Sequence, residues 1–136
     1  MYEVFEHTAD VGLRVTAPEL DGLFEDAARG LFSLIVENPA EVREQRQVQV
    51  ALVEGDRRYL LHDWLNELLF RFDSERLLLS RFDVRVGESG LEAEAYGEPL
   101  DHGRHRLAHE VKAITYHGLM VQRESQGWVA EVILDI

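Results

Sequence analysis

Cysteine is absent from all 136 residues. Its absence excludes disulfides and thiolate metal sites, and leaves nothing that points to an oxidising compartment. Proline is scarce, at three residues, and no stretch reads as a linker or a low-complexity segment. Positive charge is also short. Fourteen Lys and Arg face twenty-six Asp and Glu, so the formal net charge is −12. A surface this acidic repels phosphate backbones, so direct nucleic-acid binding is not expected; the chain could still dock on a basic protein, and solubility alone also explains most of the charge. The apolar runs are too short to cross a bilayer, and Met1 to His7 lacks the basic start and apolar core of a secretory signal. No membrane association is expected, and the cytoplasm is the expected compartment. Nucleophile motifs are missing as well: there is no Gly-x-Ser-x-Gly and no phosphate loop. An autonomous covalent enzyme is disfavoured, and no residue is assigned a catalytic role.

The residues that are present describe an ordinary globular chain. At 46% hydrophobic and 29% charged, residues 1–136 suit one domain with a real core. Tyr2 to Phe5 and Gly12 to Thr16 read as two short strands around a polar corner, His7-Thr8-Ala9-Asp10. Pro18, Glu19 and Asp21 suit a first helical turn. Leu20, Leu23, Phe24, Ala27, Leu31, Leu34 and Ile35 then give one apolar face to about Val36, before Asn38-Pro39 stops the helix. Val48, Val50 and Leu52 alternate as a strand. A second helix is predicted from about Arg57 to Ser74, with Leu61, Trp64, Leu65, Leu68, Leu69 and Phe72 inside. Two hairpins follow. One joins Phe82–Val86 to Leu91–Ala95, and the other joins Ile114–Arg123 to Trp128–Leu134. The expected fold is α+β, a two-layer sandwich of two long helices packed on a mostly antiparallel sheet. The last strand is read as a long edge strand that could pair with a neighbour, although nothing compels it.

Three places could carry chemistry. The chain ends on a well-patterned strand, Val129 to Ile136, although chain ends usually fray unless something ties them down. The Asp135 carboxylate, with the carbonyl and terminal carboxylate of Ile136, offers three oxygen donors of the kind hard cations take. A solvated strand end with no ligand explains the same feature. Asp10 sits where a strand turns, a position that also suits a turn-capping aspartate. Brought together, two such acids would repel, and a divalent cation would relieve that repulsion. His7 could join as a ligand or as a hydrogen-bond donor to one. Lys112 is the only lysine among the fourteen basic residues. It marks a point where a compact ammonium is needed instead of a planar fork, or it was retained by chance. His117 either takes part in the site or simply caps the sheet beside Tyr116. His102, His105 and His109 are dense enough to suggest zinc, but no acids or cysteines complete a standard set. A solvated or partner-facing loop is the expectation there.

Three segments together resemble the archease family. They are His7-Thr8-Ala9-Asp10-Val11-Gly12-Leu13, the helix Leu61-His62-Asp63-Trp64-Leu65-Asn66-Glu67-Leu68-Leu69, and Lys112-Ala113-Ile114-Thr115-Tyr116-His117 leading to Trp128 and Asp135-Ile136. The similarity spans essentially the whole chain in the right order, and the histidine-rich loop at 102–109 is the one notable departure. The resemblance implies an accessory protein, not an enzyme. Its partner would be the RNA ligase that joins tRNA halves bearing a 2′,3′-cyclic phosphate or 3′-phosphate to a 5′-hydroxyl. It would promote guanylylation of that ligase and sustain multiple turnover. The resemblance further implies a divalent-cation site at Asp10, Asp135 and Ile136, calcium first, with magnesium, manganese or zinc as alternatives. Lys112 is expected to be functional. Two other readings compete, a small metal-dependent phosphoesterase and a general chaperone-like binding protein.

Overall fold

Helix α1, Leu20–Ile35, forms because apolar side chains recur every three or four residues; Leu23, Phe24, Ala27, Leu31, Leu34 and Ile35 are all buried on one side. Extended backbone at Glu19 and Val36 bounds it, so Pro18 precedes the helix and does not open it. Helix α2, Arg57–Glu75, starts at Asp56, whose carboxylate accepts the Arg58 amide at 2.9 Å. It ends at Arg76, which is left-handed with φ 53°. Trp64 locks the two helices together. Its ring is fully buried and its indole N–H donates to the Phe24 carbonyl at 3.0 Å.

The computed structural model describes residues 1–7 and 10–136. Among them the strands are β1 Tyr2–His7, β2 Asp10–Ala17, β3 Arg46–Val53, β4 Leu77–Gly87, β5 Gly90–Pro99, β6 Ala113–Ile114, β7 Met120–Glu124 and β8 Gly127–Asp135. All pairings are antiparallel. The expected α+β architecture of two helices on antiparallel strands is therefore what the chain adopts, but the strands divide into two sheets. One has the order β1-β2-β8, with β6 and β7 sharing the far edge of β8; the other has the order β3-β5-β4. The division has a local cause. Asp21 and Glu25 on α1 accept the Val86 and Val84 amides of β4, at 2.8 and 2.9 Å. Four residues along a helix rise roughly 6 Å and two along a strand roughly 7 Å, so one face of α1 matches the edge amides of β4. These edge donors are satisfied by carboxylates, not by another strand.

Two further expectations are corrected. Ile114–Arg123 is not one strand, because β6 stops at Ile114 and β7 begins at Met120. Between them the Thr115 amide and hydroxyl both donate to the Ile133 carbonyl, at 3.0 and 2.9 Å. Gly118 then turns the chain at φ 63°, a conformation L side chains rarely adopt. The last strand is not an edge. β8 lies between β2 and the pair β6 and β7, so the chain end is tied down on both sides.

Candidate functional site

Strand alternation places the acids. On β2, Val11, Leu13 and Val15 face the core, which leaves Asp10, Gly12 and Arg14 on the outer face. On β8, Leu134, Val132 and Ala130 meet those core residues in register, so Asp135, Ile133 and Glu131 share the outer face with Asp10, Gly12 and Arg14. The Arg14–Glu131 ion pair, 2.5 Å from Nη1 to Oε1, forms one row of that face directly. Two rows further on, Asp10 stands opposite Asp135. Residues facing each other across antiparallel strands have Cβ atoms about 5 Å apart, and like charges so placed repel. The row between them, Gly12 and Ile133, is tight: a side chain at Gly12 would strike the Phe5 ring at 2.1 Å.

Asp135 is held on its other side by β6. Ala113 is its register partner, and its carbonyl accepts the Lys112 amide at 2.7 Å. Lys112 is exposed, while Val111 before it is buried. Ile136 packs its side chain against the core and leaves its backbone beside Asp135. His7 is the backbone register partner of Asp10. Thr8 and Ala9 of the polar corner lie outside the described residues. The fold therefore gathers Asp10, Asp135, Ile136 and Lys112 at one end of the larger sheet, with the His7 backbone next in the row. His117 follows in the turn after β6. That residue is exposed, and its amide donates to the Thr115 hydroxyl at 3.2 Å.

The donor set suits some cations better than others. Among the described residues no group of three or more His, Cys, Asp and Glu side chains could hold a metal ion. Two opposed carboxylates and a backbone oxygen fit a hard cation that keeps part of its water, such as calcium, magnesium or manganese. They fit zinc poorly, since structural zinc wants four nitrogen, sulfur or carboxylate ligands from the protein.

Two histidines prove to be placed by hydrogen bonds that spacing did not reveal. His62 lies on the inner side of α2, only 7% exposed. Its Nε2 is 3.0 Å from the Ile114 carbonyl, so that nitrogen carries a proton, and its Nδ1 is 3.4 Å from the Asp63 carboxylate. The ring stacks on Tyr116 at 3.9 Å between centroids. Its signal was a polar residue among Leu61, Trp64 and Leu65 on an apolar helix face. The second is His105, which corrects the expectation of a solvated loop. His102 and His109 are exposed, but His105 is buried. His105 Nδ1 accepts the Asp101 amide at 2.9 Å, which puts the proton on Nε2, 3.0 Å from buried Glu98. Glu98 also accepts from the Arg104 guanidinium and, at 2.7 Å, from the Arg43 amide. Arg104 foremost, then the Arg43 amide and His105, outweigh burial and hold the Glu98 carboxyl down at about 2.

The family model for the "Archease protein family (MTH1598/TM1083)" matches residues 2–136. The chain belongs to the archease family. It is 42% identical over 139 residues to the protein archease of Methanopyrus kandleri, covering 99% of both chains. Over 142 residues it is 42% identical to that of Pyrococcus abyssi, covering 99% of this chain and 98% of the relative. Its fold is similar to the solution structure of Methanobacterium thermoautotrophicum protein 1598, with a TM-score of 0.87 at 36% identity, covering 99% and 98% of the two chains. It also resembles a Thermotoga maritima archease described as a possible chaperone, with a TM-score of 0.68 at 19% identity, covering 100% and 98%. At that identity the second likeness speaks for the fold alone. Among the described residues no helix is long and apolar enough to cross a membrane.

Proposed function

We propose that this archease-family chain is a cytoplasmic accessory factor of an RNA ligase, with no turnover of its own. The ligase joins 3′-phosphate or 2′,3′-cyclic-phosphate ends to 5′-hydroxyl ends in tRNA splicing or RNA repair. The chain promotes its guanylylation and its multiple turnover. Family membership supports the partner class, and one observation supports the site: Asp10 and Asp135 oppose each other at the open end of the larger sheet, with Lys112 alongside.

Each residue has a definite task in this reading. Asp10, Asp135 and the Ile136 backbone hold a divalent cation, calcium first. A cation bound there supplies charge neutralisation and positioning for phosphate oxygens during nucleotidyl transfer. Ladder pairing of β8 on both edges keeps Asp135 in place, so the protein does not reorganise when the partner docks. Lys112, exposed and next to Asp135, offers its ammonium to a phosphate or carboxylate of the ligase. The net charge of −12 favours approach to a basic ligase surface and disfavours direct RNA contact.

The phosphoesterase reading is weaker because a two-metal hydrolase needs more carboxylate or histidine ligands than two opposed aspartates supply. A guanylylation and multiple-turnover ligation assay tests the proposal, with the candidate ligase alone, with the wild-type chain and with Asp135→Ala. Stimulation by the wild type that disappears in the variant is expected. Stimulation that survives Asp135→Ala sinks the metal part and moves attention to Lys112. No stimulation of an active cognate ligase sinks the partner, and phosphoester turnover with manganese or broad binding of unfolded chains would then favour one of the other two readings.

A further inference from the structure

A cleft of about 470 Å³ opens between the first turns of α2 and the turn that separates β6 from β7. Glu54, Arg58, Tyr59, Asp63, Tyr116 and Leu119 line it. Two tyrosines are more exposed than large aromatics usually are, Tyr116 at 60% and Tyr59 at 43%. They stand edge to face, with centroids 5.9 Å apart. The arrangement is held from below. His62, anchored to the Ile114 carbonyl, stacks beneath Tyr116 nearly parallel, at 16°. Tyr116 is thus fixed as a platform while most of it faces solvent.

The charges of the cleft are unbalanced. Its one cation, Arg58, is already engaged, since its Nη2 and Nε donate to Asp56 at 2.9 and 3.2 Å. That pairing leaves Glu54 and Asp63 as the net charge of the lining. Glu54 spends one oxygen on the Asp56 amide, at 3.0 Å. Among the described residues Asp63 reaches only His62, at 3.4 Å, and its side chain is 42% exposed. Ring faces beside carboxylates are the surroundings a guanidinium takes, because it stacks on the ring while its N–H groups reach the acids. A phosphate or carboxylate would meet two like charges. We infer that this cleft is a docking site for an arginine side chain presented by a basic partner protein, stacked on Tyr116 and paired with Glu54 and Asp63. The inference does not rest on the ligase reading, and the lining of the cleft includes neither Asp10 nor Asp135.

The full chain, labelled for amide and tyrosine-ring NMR, is titrated with N-acetyl-arginine amide and separately with the citrulline amide, which matches its shape without the charge. Saturating shifts confined to Tyr59, Asp63, Tyr116 and Leu119, with the arginine probe only, are expected. The double variant Glu54→Gln with Asp63→Asn should weaken the arginine probe about fivefold or more, as loss of two exposed ion pairs would. Tyr116→Leu, which keeps both charges, should weaken it as well. Equal response to the citrulline probe would overturn the inference, as would shifts spread over the acidic surface and unchanged in both variants.

Discussion

Two acidic centres in this molecule are placed differently. Glu98 is buried and meets the Arg104 guanidinium, the Arg43 amide and the His105 Nε2 proton, so the chain itself satisfies the carboxylate. Asp10 meets Asp135 across a strand ladder, on the outer face of a sheet, where the directly opposed group carries the same charge. The first arrangement holds the fold together. It ties the segment after β5 to the chain entering β3, and it explains why a histidine-rich stretch binds its own protein. The second arrangement sets two like charges across one row, which an added cation would ease. Glu98 is answered within the chain, whereas the Asp10–Asp135 row is the one proposed to take a cation.

The largest expected effect falls on the buried centre. Glu98→Ala strips an acceptor from Arg104, His105 and the Arg43 amide, and breaking a buried pair in this way costs about 3 kcal/mol. Urea unfolding should show the midpoint fall with an unchanged slope, and a loss below about 1 kcal/mol would mean that water replaces the carboxylate.

Acid should erase part of the difference between wild type and Glu98→Gln. The folded Glu98 carboxyl is depressed to about 2, below its value in the unfolded chain. Its contribution is therefore complete above about pH 4.3, the ordinary glutamate value, and disappears as pH falls through that value toward 2. Parallel unfolding curves for the two proteins from neutral to acid pH should converge in that window. A constant gap would show that the charge is not what the network holds.

A smaller effect tests how β4 is finished. Glu25→Ala removes the acceptor of the Val84 amide, and about 1 kcal/mol should be lost, with faster hydrogen exchange at Val84 than at Val86, which Asp21 still serves. Equal exchange at both would mean that another group takes over the edge.

The smallest effect has the opposite sign. In chelator, Asp135→Asn relieves like-charge opposition and should leave stability unchanged or raise it by up to about 0.5 kcal/mol. A clear loss in thermal unfolding would put the Asp10–Asp135 row with Glu98 as a structural feature.

How far the residues alone could lead differs between elements. Both helices were readable because their apolar spacing is regular, and the first also carries a stop signal at Asn38-Pro39. The hairpin around Gly87–Gly90 was readable for the same reason. The break at Thr115–Leu119 was not, because Ile114, Leu119 and Val121 are apolar enough to suggest one strand, and Thr115 doubles its bonding to one carbonyl only in the folded chain. Likewise, alternation showed that Asp135 ends a strand but not that β8 is interior. The opposition of Asp10 and Asp135 is a long-range register, and spacing cannot supply it; the resemblance supplied the pairing and the fold supplied the geometry. His105 was misjudged, and His62 was not singled out, because their partners, Glu98 and Ile114, come from other elements.

Calorimetric titration of the metal-free chain with calcium tests the central claim most directly. One binding event in the wild type, lost in Asp10→Asn and in Asp135→Asn but kept in Glu25→Ala, is the predicted result. No binding by the wild type, or binding that survives both aspartate substitutions, would contradict the account and return the acid pair to the surface charge of an acidic protein.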